Sequence, residues 1–509
     1  MQDISTNNKR IARNTIFLYL RMFFALIINL FTTRILLNAL GVVDYGVYNV
    51  VAGFVSLFGF LNSTLSSSVR RFYNYEGATK GTEGFQNIYV IAMVTHAIIA
   101  FVILILLETF GLWYINNVMV VPNDRLVASN FLYQTSIASM ILMMMQIPFL
   151  GAIMAKERMN YFAMISIIDV ILRLLVALAV SYTLLDNLVT YGILLACVSV
   201  FDFLSFMIYC KRNFVELKMR RYFDKNLFKS MFVFSVWNLI GTFAFMLKGQ
   251  GLNMLLNFFG GPIINAARGI AFQVNGAVSN FTNSIYTAFG PQVVTSYAEG
   301  NSLRTIRMMF TESKICFALI TLIIVPVALE IDYLLRLWLG DVVPKYTNVF
   351  VILVLIDTLI CTLNTPCTQV VQATGRIKKY QIGSTIVNLC LIPFALFLLS
   401  IGLSAISAFI ATIIITIVNQ GVCVYYTNME VHFGLKNYFR QIAIPCLVLC
   451  LLMPLLPLLF NKLMTESFLR LIVVSVISIL SGGVLSYFIL LKENERIVIM
   501  NIIKSKINI

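Results

Sequence analysis

Eight ionisable side chains fall inside apolar runs, where charge is expensive. The cations are Arg21, Arg34, Arg173, Lys248 and Arg268, and the anions are Asp169, Asp202 and Asp357. A charge at the centre of a spanning helix costs about 2.5–3.5 kcal/mol on insertion scales and usually faces a partner or a wet cavity. An excess of cations over anions at depth is the chemistry of a cavity that accepts anions. Arginine suits phosphate, because its planar fork holds two oxygens at once and stays charged. Arg21 and Arg34 lie in the first half of the chain, Lys248 and Arg268 in the second, so a cleft between halves would collect all four. These four are the candidate substrate-binding residues.

The remaining charges read in two ways. Asp169 and Arg173 stand four residues apart and can pair on one helix face. Together with Asp202 and Asp357 they form either structural ion pairs and hydrogen bonds or sites for a coupling ion. Asn62, Gln273, Asn275, Asn280 and Asn283 are candidates for contact with sugar hydroxyls. The stretch 263–296 holds too many amides and hydroxyls for lipid contact, and some of them are expected to join helices instead. His96 fits either a proton relay or a packed histidine. Gly290-Pro291 and Pro148 mark expected kinks.

Enzyme chemistry finds no support. There is no GxxxxGK[ST] phosphate loop, no Ser/His/Asp set and no paired catalytic carboxylates. The two histidines and nine cysteines form no CxxC pair and no metal-ligand cluster, so neither a metal, another cofactor nor a disulfide framework is expected. The expected loops are too short to hold an active site.

What must position these residues is a set of membrane helices. The 509 residues are 60% hydrophobic and 12% charged, against roughly 25% charged in soluble domains. Fourteen runs approach the ~20 apolar residues a spanning helix needs. They cover 14–38, 45–69, 86–113, 128–150, 160–184, 188–210, 230–259, 263–296, 310–338, 346–373, 380–401, 403–427, 438–460 and 468–491. With the N-terminus cytoplasmic, 27 of the 37 Lys and Arg fall on the cytoplasmic side and five on the other. That bias is the positive-inside rule, and it implies a multi-pass protein of the cytoplasmic membrane with both termini inside. It also accounts for the net charge of +15 without nucleic acid. The start, MQDISTNNKRIARN, is polar and basic, so the first helix is expected to be retained.

The chain repeats itself weakly. Phe60, Asn62 and Ser63 recur as Phe281, Asn283 and Ser284, each 221 residues on; Tyr75 pairs with Tyr297 and Gly77 with Gly300. Such a repeat marks a transporter built from two related halves. The expected divisions are an N-terminal six-helix bundle over 1–215, a C-terminal six-helix bundle over 216–430 and two further helices over 431–509. The basic loop from Lys211 to Lys229 would connect the bundles.

The segment Tyr19 to Gly77, with YLRMFFALIINLFTTRILLNALGVVDYGVYNVV followed by FLN and RRF, resembles the lipid-linked oligosaccharide flippases of bacterial surface polysaccharide synthesis. The second stretch, NAARGIAFQVNGAV with FGPQ and SYAEGN, is similar to the opening of their second half. These flippases belong to the multidrug/oligosaccharidyl-lipid/polysaccharide exporter superfamily. The resemblance implies two six-helix bundles in a V plus two C-terminal helices. It implies movement of an undecaprenyl-pyrophosphate-linked oligosaccharide to the outer face by alternating access, driven by an ion gradient or the membrane potential, for lipopolysaccharide or capsule synthesis. It makes Arg21, Arg34 and Arg268 the family's basic positions, and it implies membrane lipids and other polysaccharide-assembly proteins as partners. The alternatives are a multidrug or cation antiporter of the same fold, which favours an anionic cavity, and a lipid II flippase. The Arg-Asp pair of the lipid II flippases is absent here, since Met22 follows Arg21.

Overall fold

The computed structural model describes residues 2–56, 60–156, 158–217, 224–374, 376–491 and 496. Among the described residues every regular element is helical. The helices are α1 (Gln2–Ser56), α2 (Phe60–Leu106), α3 (Leu112–Asn117), α4 (Leu126–Ala155), α5 (Met159–Ser181), α6 (Asn187–Asn213) and α7 (Lys225–Ala298). They continue as α8 (Ser302–Leu329), α9 (Ile331–Leu339), α10 (Thr347–Thr374), α11 (Lys378–Leu389), α12 (Leu391–Ser400) and α13 (Ile406–Val431). The last are α14 (Leu435–Tyr438), α15 (Ile444–Leu452), α16 (Leu455–Leu463) and α17 (Phe468–Ile489). Among the described residues eleven stretches are long and apolar enough to cross a membrane. The chain is an all-α polytopic membrane protein. Part of the expected basic connector, 218–223, lies outside the described residues.

Three long helices, α1, α2 and α7, are each two helices joined at a glycine. Gly41 in α1 has φ 73° and ψ 172°, and Gly261 in α7 has φ 69° and ψ −172°. A side chain makes this left-handed region unfavourable, so the turn needs glycine. The two turns stand 220 residues apart with nearly the same dihedrals, which is the internal repeat written in the backbone. Gly81 and Gly300, with φ 60° and 73°, form a second such pair. The turn glycine that answers Gly300 is therefore Gly81; Gly77, its expected partner, lies within the preceding helix.

The expected kink positions lie within continuous helices. α4 runs unbroken through Pro148, and α7 keeps helical dihedrals through Gly290-Pro291. At Pro148 the local backbone gains a partner from outside the helix, because Tyr73 Oη donates to the Pro148 carbonyl at 3.2 Å. A different irregularity appears at Leu107–Gly111, one π-helical turn. There Gly111 leaves room for Tyr133, whose hydroxyl donates to Leu107 O at 2.8 Å.

By contacts the chain forms two compact units, one ending at Gly269 and the other beginning at Ile270. In the first unit α4 packs between α2 and α6, and α1 packs on α5. Its core is aromatic, with Tyr73, Tyr89, Tyr133 and Phe149 fully buried. One charged cluster holds its loop ends together. Arg125 reaches both oxygens of Asp44, with Nε–Oδ1 at 2.8 Å, and also pairs with Asp186 at 2.5 Å. Asp186 in turn caps α6, accepting from Leu188 N and Val189 N at 3.0 Å each. The Arg125 guanidinium holds the Asp186 carboxyl below the usual carboxylate range.

In the second unit α10 packs against α8 and α13, and α17 lies along α8. The helices beyond 431 are tied in by a buried carboxylate. Glu330, between α8 and α9, accepts from Arg470 Nη2 at 2.8 Å and from Asn461 Nδ2 at 2.9 Å. Large apolar side chains such as Leu447, Leu451, Leu469 and Leu480 point outward, as lipid-facing residues do.

Candidate transport site

The first unit encloses a cavity of about 490 Å³. α1 contributes Tyr48 and Ala52, α4 contributes Ser139 and Gln146, α5 contributes Asp169 and Arg173, and α6 contributes Ser199 and Asp202. Helical spacing brings the first two charges together: Arg173 Nε donates to Asp169 Oδ1 at 2.8 Å. Asp202 comes from the facing helix, and its Oδ1 is buried without a hydrogen-bond partner among the described residues. Two carboxyls against one guanidinium leave this pocket an acid in excess. It is suited to a proton or a cation rather than to an anion, because a second anion beside two carboxylates would meet like charge.

Arg34, Lys248 and Arg268 are not among the residues that line that cavity. Arg34 is exposed on α1, and Lys248 is half-buried on α7. Arg268 is 6% exposed and donates through Nη2 to Gly249 O at 2.8 Å, next to Lys248. The fold thus brings Lys248 and Arg268 onto adjoining turns of the two arms of α7. The side chain of Arg21 lies outside the described residues, although its backbone is part of α1.

These two arms press on the second arm of α1 through a seam of glycine and asparagine. A Cβ on Gly46 would collide with the Pro262 carbonyl, and one on Gly53 would sit 2.5 Å from Asn253 Nδ2. Gly269 leaves equivalent room for Asn49. Asn253 Nδ2 donates to Asn49 O at 3.2 Å, and Asn265 Nδ2 donates to Asn253 O and Oδ1 at 2.9 and 2.7 Å. Asn257 Oδ1 accepts from Val120 N at 2.8 Å. Buried amides need hydrogen-bond partners; here backbone groups and one neighbouring amide supply them, while Asn265 Oδ1 is buried without a partner among the described residues. Asn265 therefore joins helices, as some of the amides were expected to.

The sugar-contact candidates divide. Asn275 Oδ1 accepts from Thr358 Oγ1 of α10 and from Ser279 Oγ at 3.3 Å, which commits it to packing α7 on α10. Gln273 and Asn280 are half-buried and Asn283 is exposed. The side chain of Asn62 lies outside the described residues. Asp357 is half-buried on α10 in the second unit. His96 is buried, and its Nδ1 lies 2.6 Å from Ala92 O one turn back on its own helix, the geometry of a packed histidine. All nine cysteines are free thiols.

Sequence reading missed Glu312. It placed the start of the ninth span at 310 and left Glu312 at a helix end beside Lys314. α8 begins at Ser302, so Glu312 stands in its third turn, and it is fully buried. The partners of Arg125 were equally hidden, because Asp44 and Asp186 lie 81 and 61 residues away in sequence.

No family model matches the chain, and no curated protein matches it. Solved structures do. The lipid II flippase MurJ in an inward closed conformation superposes with a TM-score of 0.72 at 14% identity, covering 93% of this chain and 98% of that one. The chain has the fold of these transporters. An inward-facing multidrug resistance MATE family transporter of the MOP superfamily gives a TM-score of 0.66 at 14% identity, over 80% of this chain and 94% of that one. A MOP superfamily transporter from Pyrococcus furiosus, whose binding pocket is described as reversed in polarity and suggesting a different function, gives 0.55 at 15% identity over 83% and 96%.

Proposed function

We propose that this chain is a flippase that moves an undecaprenyl-pyrophosphate-linked oligosaccharide from the cytoplasmic to the outer face of the cytoplasmic membrane, for lipopolysaccharide or capsule synthesis. The observation that carries the reading is the superposition on a lipid II flippase over nearly the whole of both chains. The candidate intramembrane cations agree with it, since a pyrophosphate must be held by charge-assisted donors when it leaves water. In this reading Arg21, Lys248 and Arg268 receive the pyrophosphate, and Arg34 draws it along the first helix. Gln273, Asn280, Asn283 and Asn62 meet sugar hydroxyls. Alternating access requires the seam between Gly46 and Pro262 to part. The acid-rich cavity of the first unit serves the coupling ion.

Two other cargoes fit the same fold. A lipid II flippase is favoured by the same superposition, and the absent acidic residue after Arg21 speaks against it. A cation exporter is favoured by the excess carboxyl beside Arg173. Deletion of the gene separates all three. The flippase reading expects a lipid-linked oligosaccharide to accumulate on the cytoplasmic face with loss of surface polysaccharide. Accumulated lipid II would assign the second cargo. Intact surface glycan with greater sensitivity to cationic drugs would assign the third.

A further inference from the structure

One carboxyl has no part in that reading. Glu312 is completely enclosed by the second unit, and neither of its oxygens has a hydrogen-bond donor among the described residues. The titratable groups that face it are Tyr286 of α7, Cys316 one turn further along α8 and Cys367 of α10. All three are neutral in their ordinary forms. Lys314, two residues on, is turned by helical geometry toward another face, beside Cys446 of α15. The amide next to Glu312 is Gln369 of α10. Its Nε2 donates to Tyr286 O at 3.2 Å, and its Oε1 is buried without a donor.

A carboxylate shut away from water and from cations carries a large desolvation penalty. A metal ion would relieve it only with several converging oxygens. Here the neighbours are a phenol and two thiols, and among the described residues no group of three or more His, Cys, Asp or Glu forms. A proton relieves it completely: the carboxyl becomes neutral and acquires the one O–H donor this cluster of acceptors lacks.

We propose that Glu312 is a proton-carrying site that couples proton exchange to bending of α7, with Gln369 as the switch. In the enclosed state Glu312 holds the proton, and Gln369 Nε2 is engaged by Tyr286 O. The protonated carboxyl donates to the otherwise unpartnered Gln369 Oε1. When Glu312 releases the proton, carboxylate and Oε1 are two acceptors face to face, the amide turns to present N–H instead, and the bond from Nε2 to Tyr286 O, the tie to α7, is given up. The tie sits where α7 is weakest. Gln369 lies against Gly290, and Pro291 lacks the N–H that would serve Thr287 O. This inference adds a second acidic site, in the other unit, and names the proton as the ion it exchanges; it rests on the flippase reading only for its effect on export.

The test uses the full chain in lipid vesicles without any sugar substrate. Infrared difference spectra at neutral pH should contain a protonated-carboxyl band that falls by one carboxyl in Glu312→Gln, an isosteric variant that keeps the site filled. Amide exchange over 286–298, corrected for its intrinsic rate, should rise with pH in the unmodified protein. It should lose that dependence in both Glu312→Gln and Gln369→Leu. A carboxyl band unchanged by Glu312→Gln, a band removed by sodium at fixed pH, or the same pH-dependent exchange in both variants would overturn the proposal. Neither readout involves export, so a failed flippase assignment leaves it standing with another cargo.

Discussion

The two units handle acid at membrane depth in opposite ways. In the first, Asp169 is paired with Arg173 at 2.8 Å and both face a cavity of about 490 Å³. In the second, Glu312 is fully enclosed with no donor on either oxygen. One region keeps its charge by pairing it and leaving it near water; the other can be comfortable only by losing it. Pairing gives a site that stays charged through a transport cycle. Enclosure gives one whose charge state depends on whether the surrounding helices are open.

The contrast can be broken or sharpened by substitution. The largest expected effect belongs to the cations that the flippase reading uses. Arg21→Ala and Lys248→Ala should each abolish surface polysaccharide while membrane insertion, followed by immunoblot of the membrane fraction, is unchanged. Normal glycan in both strains would sink the cationic-site reading. Next comes Arg173→Met, which leaves Asp169 and Asp202 facing each other without their cation. Breaking a buried pair costs about 3–5 kcal/mol, but with 41% of the Arg173 side chain exposed about 1–2 kcal/mol is expected. Thermal melting in detergent would read it, and the double variant with Asp169→Asn should recover most of the loss.

Glu312→Gln should act in the opposite direction, with melting unchanged or raised by up to about 1 kcal/mol, since no ion pair is lost. Strong destabilisation would mean that Glu312 is paired after all, and the contrast would collapse. The smallest effect concerns Asp186. Its carboxyl is held below the usual range by Arg125, so its contribution is present above the unfolded value of about 3.9 and disappears as pH falls through the folded value. Asp186 is 35% exposed, so that contribution is under about 1 kcal/mol. Asp186→Asn should lower melting slightly at neutral pH and flatten its decline below about pH 4.

Hydropathy made the fold legible, because an apolar run of helical length has few other uses, and charge asymmetry set the expected orientation. Among the described residues the expected spans fall on helices, of which eleven stretches are long and apolar enough to cross a membrane, and two pairs of spans are joined at Gly41 and at Gly261. The i,i+4 pair of Asp169 and Arg173 was legible because both partners lie on one helix. What could not be read was contact between distant segments. Nothing in the sequence ties Arg125 to Asp44, or Asn275 to Thr358, whose side chain commits an amide that looked available for sugar. Glu312 was hidden by a simpler cause. Apolar windows begin where apolar residues begin, and α8 starts with the polar turns around Arg304 and Arg307.

The seam of glycine and asparagine along α1 and α7 has an energetic consequence. Its ties are amide hydrogen bonds that water can replace at a net cost of about 1 kcal/mol each, and its closest approaches set a glycine against the Pro262 carbonyl or against an asparagine side chain. Closed and parted forms of such a seam can differ by only a few kcal/mol. Reversing a 1:99 population to 99:1 then takes about 5.5 kcal/mol of preferential binding, which lies within reach of one ion and one phosphate group acting in turn. In the flippase reading the glycines thus set the energy scale on which a gradient would drive the cycle.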